Sequence, residues 1–170
     1  MWNDTDIPLA FLITFRSYGT WLHGDERGSV NRFRNQYKSA RLPPEEKWLQ
    51  INTQRLNQEI VVLDAAQRQC VETTARETCE IRKWHLFAIN VRTNHVHAVV
   101  SIGEKKPEIA LNAFKANATR RMRESGCWQN TVSPWSDKGS QRYLWNEESI
   151  ARAIDYVING QGDDLPDFDC

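Results

Sequence analysis

The sequence predicts an α+β fold: one antiparallel sheet with helices on one face and a further C-terminal helix. Three observations carry this. Short apolar runs rich in β-branched and aromatic residues are interspersed with longer stretches at helical spacing. Their order is strand, helix, strand, strand, helix, strand, helix. A chain of 170 residues, 40% hydrophobic, supplies one complete core and no more. The first six elements follow the order of a ferredoxin-like split βαβ sheet, an arrangement shared with RNA-recognition modules.

Residues 9–15, Leu-Ala-Phe-Leu-Ile-Thr-Phe, read as a buried strand. Residues 17–60 lack sustained periodicity and are punctuated by Gly19, Gly24, Gly28 and the Pro43-Pro44 pair. They read as a long polar excursion with one short helix at 45–50. Asp64 is placed as an N-cap for a helix reaching about Arg82, with Ala66, Cys70, Val71, Thr74 and Thr78 on one stripe. Residues 84–91 and 95–102 form a hairpin across the turn Arg92-Thr93-Asn94. Pro107 opens the next helix, whose expected inward residues are Ile109, Leu111, Phe114, Ala118 and Met122, and Gly126 lies just past its end. A short strand at 142–145 precedes a final helix at 147–159 with Ile150, Ala151, Ile154 and Val157 inward. Residues 1–162 are thus read as one domain, with 163–170 an acidic tail.

Composition narrows the class. The longest apolar run, 8–14, is far too short to span a bilayer, and no basic segment leads into a signal-peptide core. A soluble cytoplasmic protein with no membrane partner is expected. The four cysteines show no CxxC pairing, so they read as structural thiols of a reducing compartment. Net charge is zero, yet all 22 Lys and Arg precede position 155 while five of the 22 acids fall at or after it, which leaves the first 154 residues at +5. Lys115, Arg120, Arg121 and Arg123 concentrate positive charge on one helix, and Arg32 and Arg34 do so in the excursion. These six are the candidate phosphate contacts.

The chemistry centres on Asn94-His95-Val96-His97. On a strand, alternate side chains share a face, so His95 and His97 project together and can fill two neighbouring coordination positions of one divalent cation. Tyr156, in the final helix, is a candidate covalent nucleophile, because a phenol can attack a phosphorus atom whose oxygen a cation polarises. The amides of Asn159 and Gln161 follow it, and either can turn an oxygen toward the metal.

These residues resemble the single-tyrosine HUH transposases of insertion-sequence type, especially the REP-associated tyrosine transposases. The match rests on the His-hydrophobe-His motif at 94–97, the element order and Tyr156 about sixty residues downstream, and it covers most of residues 8–161. The resemblance implies Mg²⁺ or Mn²⁺ held by His95, His97 and an amide. It also implies Tyr156 as the residue that cleaves single-stranded DNA beside a hairpin, forming a 5′-phosphotyrosine and freeing a 3′-hydroxyl. The family's amide lies four residues after the tyrosine; here that position is Gly160, so Gln161 is preferred as third ligand and Asn159 stays as the alternative. Two further functions stand beside strand transfer. One is a domesticated hairpin-binding protein with little activity; the other is a relaxase-like or replication-initiator nickase using Tyr18. Monomer and homodimer are both compatible with the sequence, and a metallohydrolase would need stronger ligands than these.

Overall fold

A computed structural model describes residues 7–19 and 60–161, and the chain divides into two compact units, Met1–Ser17 with Val62–Cys170, and Tyr18–Val61. The first unit contains β1 (Ala10–Arg16), α1 (Ala65–Arg82), β2 (His85–Val91), β3 (His95–Ser101), α2 (Pro107–Glu124), β4 (Ser140–Leu144) and α3 (Glu147–Asn159). The four strands form one antiparallel sheet in the order β2-β3-β1-β4. That order is the ferredoxin-like one, with the first and third strands central.

Local chemistry sets the boundaries. Asp64 accepts from the Gln67 backbone N–H at 2.8 Å while the Gln67 side chain accepts from the Asp64 N–H, a reciprocal capping box that starts α1. Lys83, in the left-handed region at φ 58°, ends it. Asn146 caps α3 in the same way through Ser149. Pro107 occupies the first turn of α2, where its missing N–H has no intrahelical role.

The two faces of the sheet are covered by different helices. Phe11, Ile13 and Phe15 of β1 and Val96, Ala98 and Val100 of β3 share the face beneath α1 and α2, where Phe15 meets Trp135 edge-on at 4.9 Å and Trp84 meets Phe114 at 6.3 Å. The Trp135 indole N–H donates to Thr119 Oγ1 of α2, which locks the 127–139 connection onto that helix. α3 covers the opposite face, burying Ile150, Ala153 and Val157 against Ala10, Leu12, Ala88, Val99 and Leu144.

The expected stripes are shifted in all three helices. In α2, Ile109 is exposed and Ala110 and Ala113 are buried; in α3, Ala153 is buried and Ala151 exposed. In α1, Gln67, Arg68, Ala75 and Cys79 join the buried set and Ala66 lies outside it. The hairpin carries an irregularity between Leu86 and Ala88 that brings Ala88 rather than Phe87 onto the α3 side.

Of the second unit, Tyr18, Gly19, Ile60 and Val61 are described. The Val61 N–H donates to the Tyr18 carbonyl at 2.9 Å. Gly19 sits at φ 80°, and a Cβ there would lie 2.8 Å from Ile60 Cγ1, so this turn admits only glycine. The rest of the polar excursion, with its expected helix at 45–50, and the acidic tail lie outside the described residues.

Candidate functional site

The α3-covered face of the sheet changes character along the strands. One row is apolar, with Leu12 of β1 paired to Val99 of β3. The next row aligns Asn90 of β2, His97 of β3, Thr14 of β1 and Ser140 of β4, and beyond it His95 pairs with Arg16. Alternation along β3 therefore sets His95 and His97 side by side facing α3, their ring centroids 4.7 Å apart. The end of α3 passes over this polar row. Its Tyr156 ring stands 5.3 Å from the His97 ring and is 47% exposed.

Each imidazole has an oxygen partner on Nδ1. His97 Nδ1 meets Thr14 Oγ1 at 2.7 Å, and His95 Nδ1 meets Asn94 Oδ1 at 2.6 Å. Partners of this kind orient a metal-binding ring. His95 Nε2 lies 3.0 Å from Gln161 Oε1, and the Gln161 side chain also hydrogen-bonds His97. Two imidazoles and one amide oxygen thus converge. Gln161 is itself held, since its Nε2 donates to the Tyr156 carbonyl at 3.1 Å.

Burial pushes the His97 pKa down to about 3, helped by the neighbouring His95 and then by Arg16 and opposed by the Gln161 hydrogen bond. At neutral pH the ring is uncharged and keeps a lone pair for a cation. The donor set fits a divalent ion: imidazole nitrogen is a ligand for first-row transition metals, and the amide oxygen suits Mn²⁺ or Mg²⁺. Among the described residues no group of three or more His, Cys, Asp or Glu side chains could hold a metal, so the stronger ligand set of a hydrolytic zinc centre is not found there.

The two amides after Tyr156 take different places. Asn159 Nδ2 donates to Asp155 Oδ1 at 2.8 Å on the exposed side of α3, whereas Gln161 turns back to the histidines. Gly160 makes the turn feasible: a Cβ there would lie 2.7 Å from the Tyr156 carbonyl oxygen. A side chain four residues after the tyrosine is excluded by that contact, and the amide appears one residue later.

The basic candidates are not gathered at this site. α2 lies on the other side of the sheet, and three of its four cations are engaged with protein groups. Lys115, half-buried and with its pKa lowered by burial, donates to the carbonyls of Ser136 and Lys138. Arg121 pairs with Glu77 of α1, and Arg123 donates to the Thr131 carbonyl at 3.1 Å. Arg120 is exposed. Arg32 and Arg34 lie outside the described residues, and Tyr18 belongs to the second unit. Sequence reasoning missed Thr14 and Asn90. Their signal was a polar residue at a core-facing position in an otherwise apolar strand.

The sequence profile described as "Transposase IS200 like" matches residues 54–150, more than half of the chain. No curated protein matches significantly. Two solved structures are similar at low identity. One is a REP-associated tyrosine transposase bound to a REP hairpin, with 13% identity, 92% of this chain and 69% of that chain covered and a TM-score of 0.47. The other is a candidate transposase from Deinococcus radiodurans R1, with 12% identity, 96% and 98% covered and a TM-score of 0.46. By the profile over residues 54–150, which takes in the motif at 94–97 and ends in the first turn of α3, the chain belongs to the IS200-like transposase family.

Proposed function

We propose that this transposase-family protein cleaves and rejoins single-stranded DNA beside a hairpin, with Tyr156 as nucleophile and with His95, His97 and Gln161 holding Mg²⁺ or Mn²⁺. The observation that carries the reading is convergence. Residues from β3, from the end of α3 and from the turn beyond it meet at one point, with Gln161 Oε1 3.0 Å from His95 Nε2 and Tyr156 beside His97. A core tyrosine would bury its ring, yet Tyr156 is 47% exposed while its neighbour Val157 is fully buried.

Such a cation would supply charge neutralisation at a non-bridging oxygen of the scissile phosphate. The protein supplies the rest. His97, kept neutral by burial, offers a lone pair, and His95 is oriented by Asn94. The Tyr156 hydroxyl attacks phosphorus; the Oη–P bond forms as the P–O3′ bond breaks, the phenol proton is lost, and the departing 3′ oxygen is protonated. The product is a 5′-phosphotyrosine with a free 3′-hydroxyl. Because one phosphodiester has replaced another, a second 3′-hydroxyl can attack the phosphotyrosine and reseal the strand.

The test is incubation of the full chain with Mn²⁺ and hairpin-bearing single strands taken from the DNA flanking its own gene, followed by denaturing electrophoresis. A band shifted by covalently attached DNA is expected, abolished by chelation and in His95→Ala. Hairpin binding without any adduct would replace this reading by that of a domesticated DNA-binding protein.

A further inference from the structure

We infer that Asn90 is a positioning residue for the reaction: it fixes the end of the tyrosine helix over the histidine pair. This rests on the roles proposed above for Tyr156 and Gln161.

Asn90 lies on β2 directly across from His97, on the α3 side of the sheet. Its Nδ2 donates to the Val157 carbonyl at 2.9 Å. Val157 is in the last turn of α3, where carbonyls have no partner within the helix and must find one elsewhere. Two of these carbonyls are satisfied, by different means. That of Tyr156 accepts from the Gly160 N–H and from Gln161 Nε2, and that of Val157 accepts from Asn90.

The helix is docked in two stages along its length. Ile150, Ala153 and Val157 sit in the apolar cluster, and this contact ends where the polar row begins. Tyr156 and Ile158, which flank Val157, are exposed, and the side chain of Asn90 makes a directional bond from the sheet to the helix end. It is one residue from Tyr156 and four from Gln161. Apolar packing resists separation but tolerates sliding and rotation; a hydrogen bond to one named carbonyl fixes register. The bond therefore sets how far α3 is rotated over β3, which decides whether the Tyr156 hydroxyl faces a phosphate held at the histidines.

The test uses the full chain with Asn90→Leu, which keeps volume but removes the donor, and with Asn90→Ala, which removes the bond by truncation. Single-turnover adduct formation with the hairpin-bearing oligonucleotide and Mn²⁺ is measured beside oligonucleotide affinity and thermal melting. The expected result is a rate lowered about tenfold or more in both variants, with affinity changed less than twofold and melting still well above the assay temperature. Asn90→Gln, which retains the donor on a longer arm, should recover part of the rate. An unchanged rate in Asn90→Leu and Asn90→Ala overturns the inference. So does loss of folding or of oligonucleotide binding in both, which would make Asn90 a residue of the fold alone. If the parent chain itself forms no adduct, the functional reading fails first, and the two failures are thereby distinguished.

Discussion

Acidification should destabilise the metal-free protein through His97. The ring is 5% exposed and its pKa in the folded state is pushed down to about 3, from an ordinary value of 6.5. Below pH 6.5 the unfolded chain takes up a proton that the folded chain refuses, so stability falls as pH falls and is unaffected by this group above about pH 7. Integrating the difference between pH 7.5 and pH 5 gives about 2 kcal/mol lost. For a domain of this size that is a fall in melting temperature of roughly 4–8 °C. The assay is calorimetry in chelator at the two pH values on the parent and on His97→Gln, since the variant carries the background of all other groups. The parent should lose roughly 4–8 °C more than His97→Gln. Equal losses would show that His97 is hydrated and titrates as in a free chain, and the neutral lone pair invoked for the cation would lose its basis.

Other outcomes follow from the same geometry. Gln161→Ala should weaken Mn²⁺ binding, read by calorimetric titration, by about tenfold, while Asn159→Ala leaves it unchanged, because only Gln161 reaches the histidines. Gly160→Ala places a Cβ against the Tyr156 carbonyl and should cost about 1–2 kcal/mol in denaturant unfolding while slowing adduct formation. Lys115→Met strands two carbonyls and should lower stability by about 1–2 kcal/mol. Arg120→Ala should leave stability unchanged and, if α2 tracks single-stranded DNA, reduce the salt slope of binding by roughly 0.7.

The parts of this molecule legible in its sequence are those that local chemistry determines. Asp64 and Asn146 announce helices because their side chains cap them, and β3 could be read from its apolar run. The helix stripes were misphased where alanine does the packing. Ala110 and Ala153 are buried because a small side chain lets helix and sheet approach, and a residue with so little apolar area gives a weak periodic signal beside Ile109. The histidine pair and Tyr156 were visible as residue types, but their meeting depends on α3 crossing the sheet face opposite α1 and α2. Asn90 and Val157, or His95 and Gln161, are joined across more than sixty residues, and no local pattern encodes such a pair. The basic helix is a related case: charge density on a sequence does not reveal that Lys115 will serve loop carbonyls or that Arg121 will meet Glu77.

The measurement that bears most directly on the account is the identity of the covalently modified residue. Tyr156→Phe keeps the ring that packs 5.3 Å from His97 and removes only the attacking oxygen, so it should bind hairpin DNA like the parent and form no adduct. Mass spectrometry of the proteolysed parent adduct should place the nucleotide on the peptide containing Tyr156. An adduct on Tyr18, or one that persists in Tyr156→Phe, would contradict the assignment of the nucleophile and the strand-transfer reading built upon it.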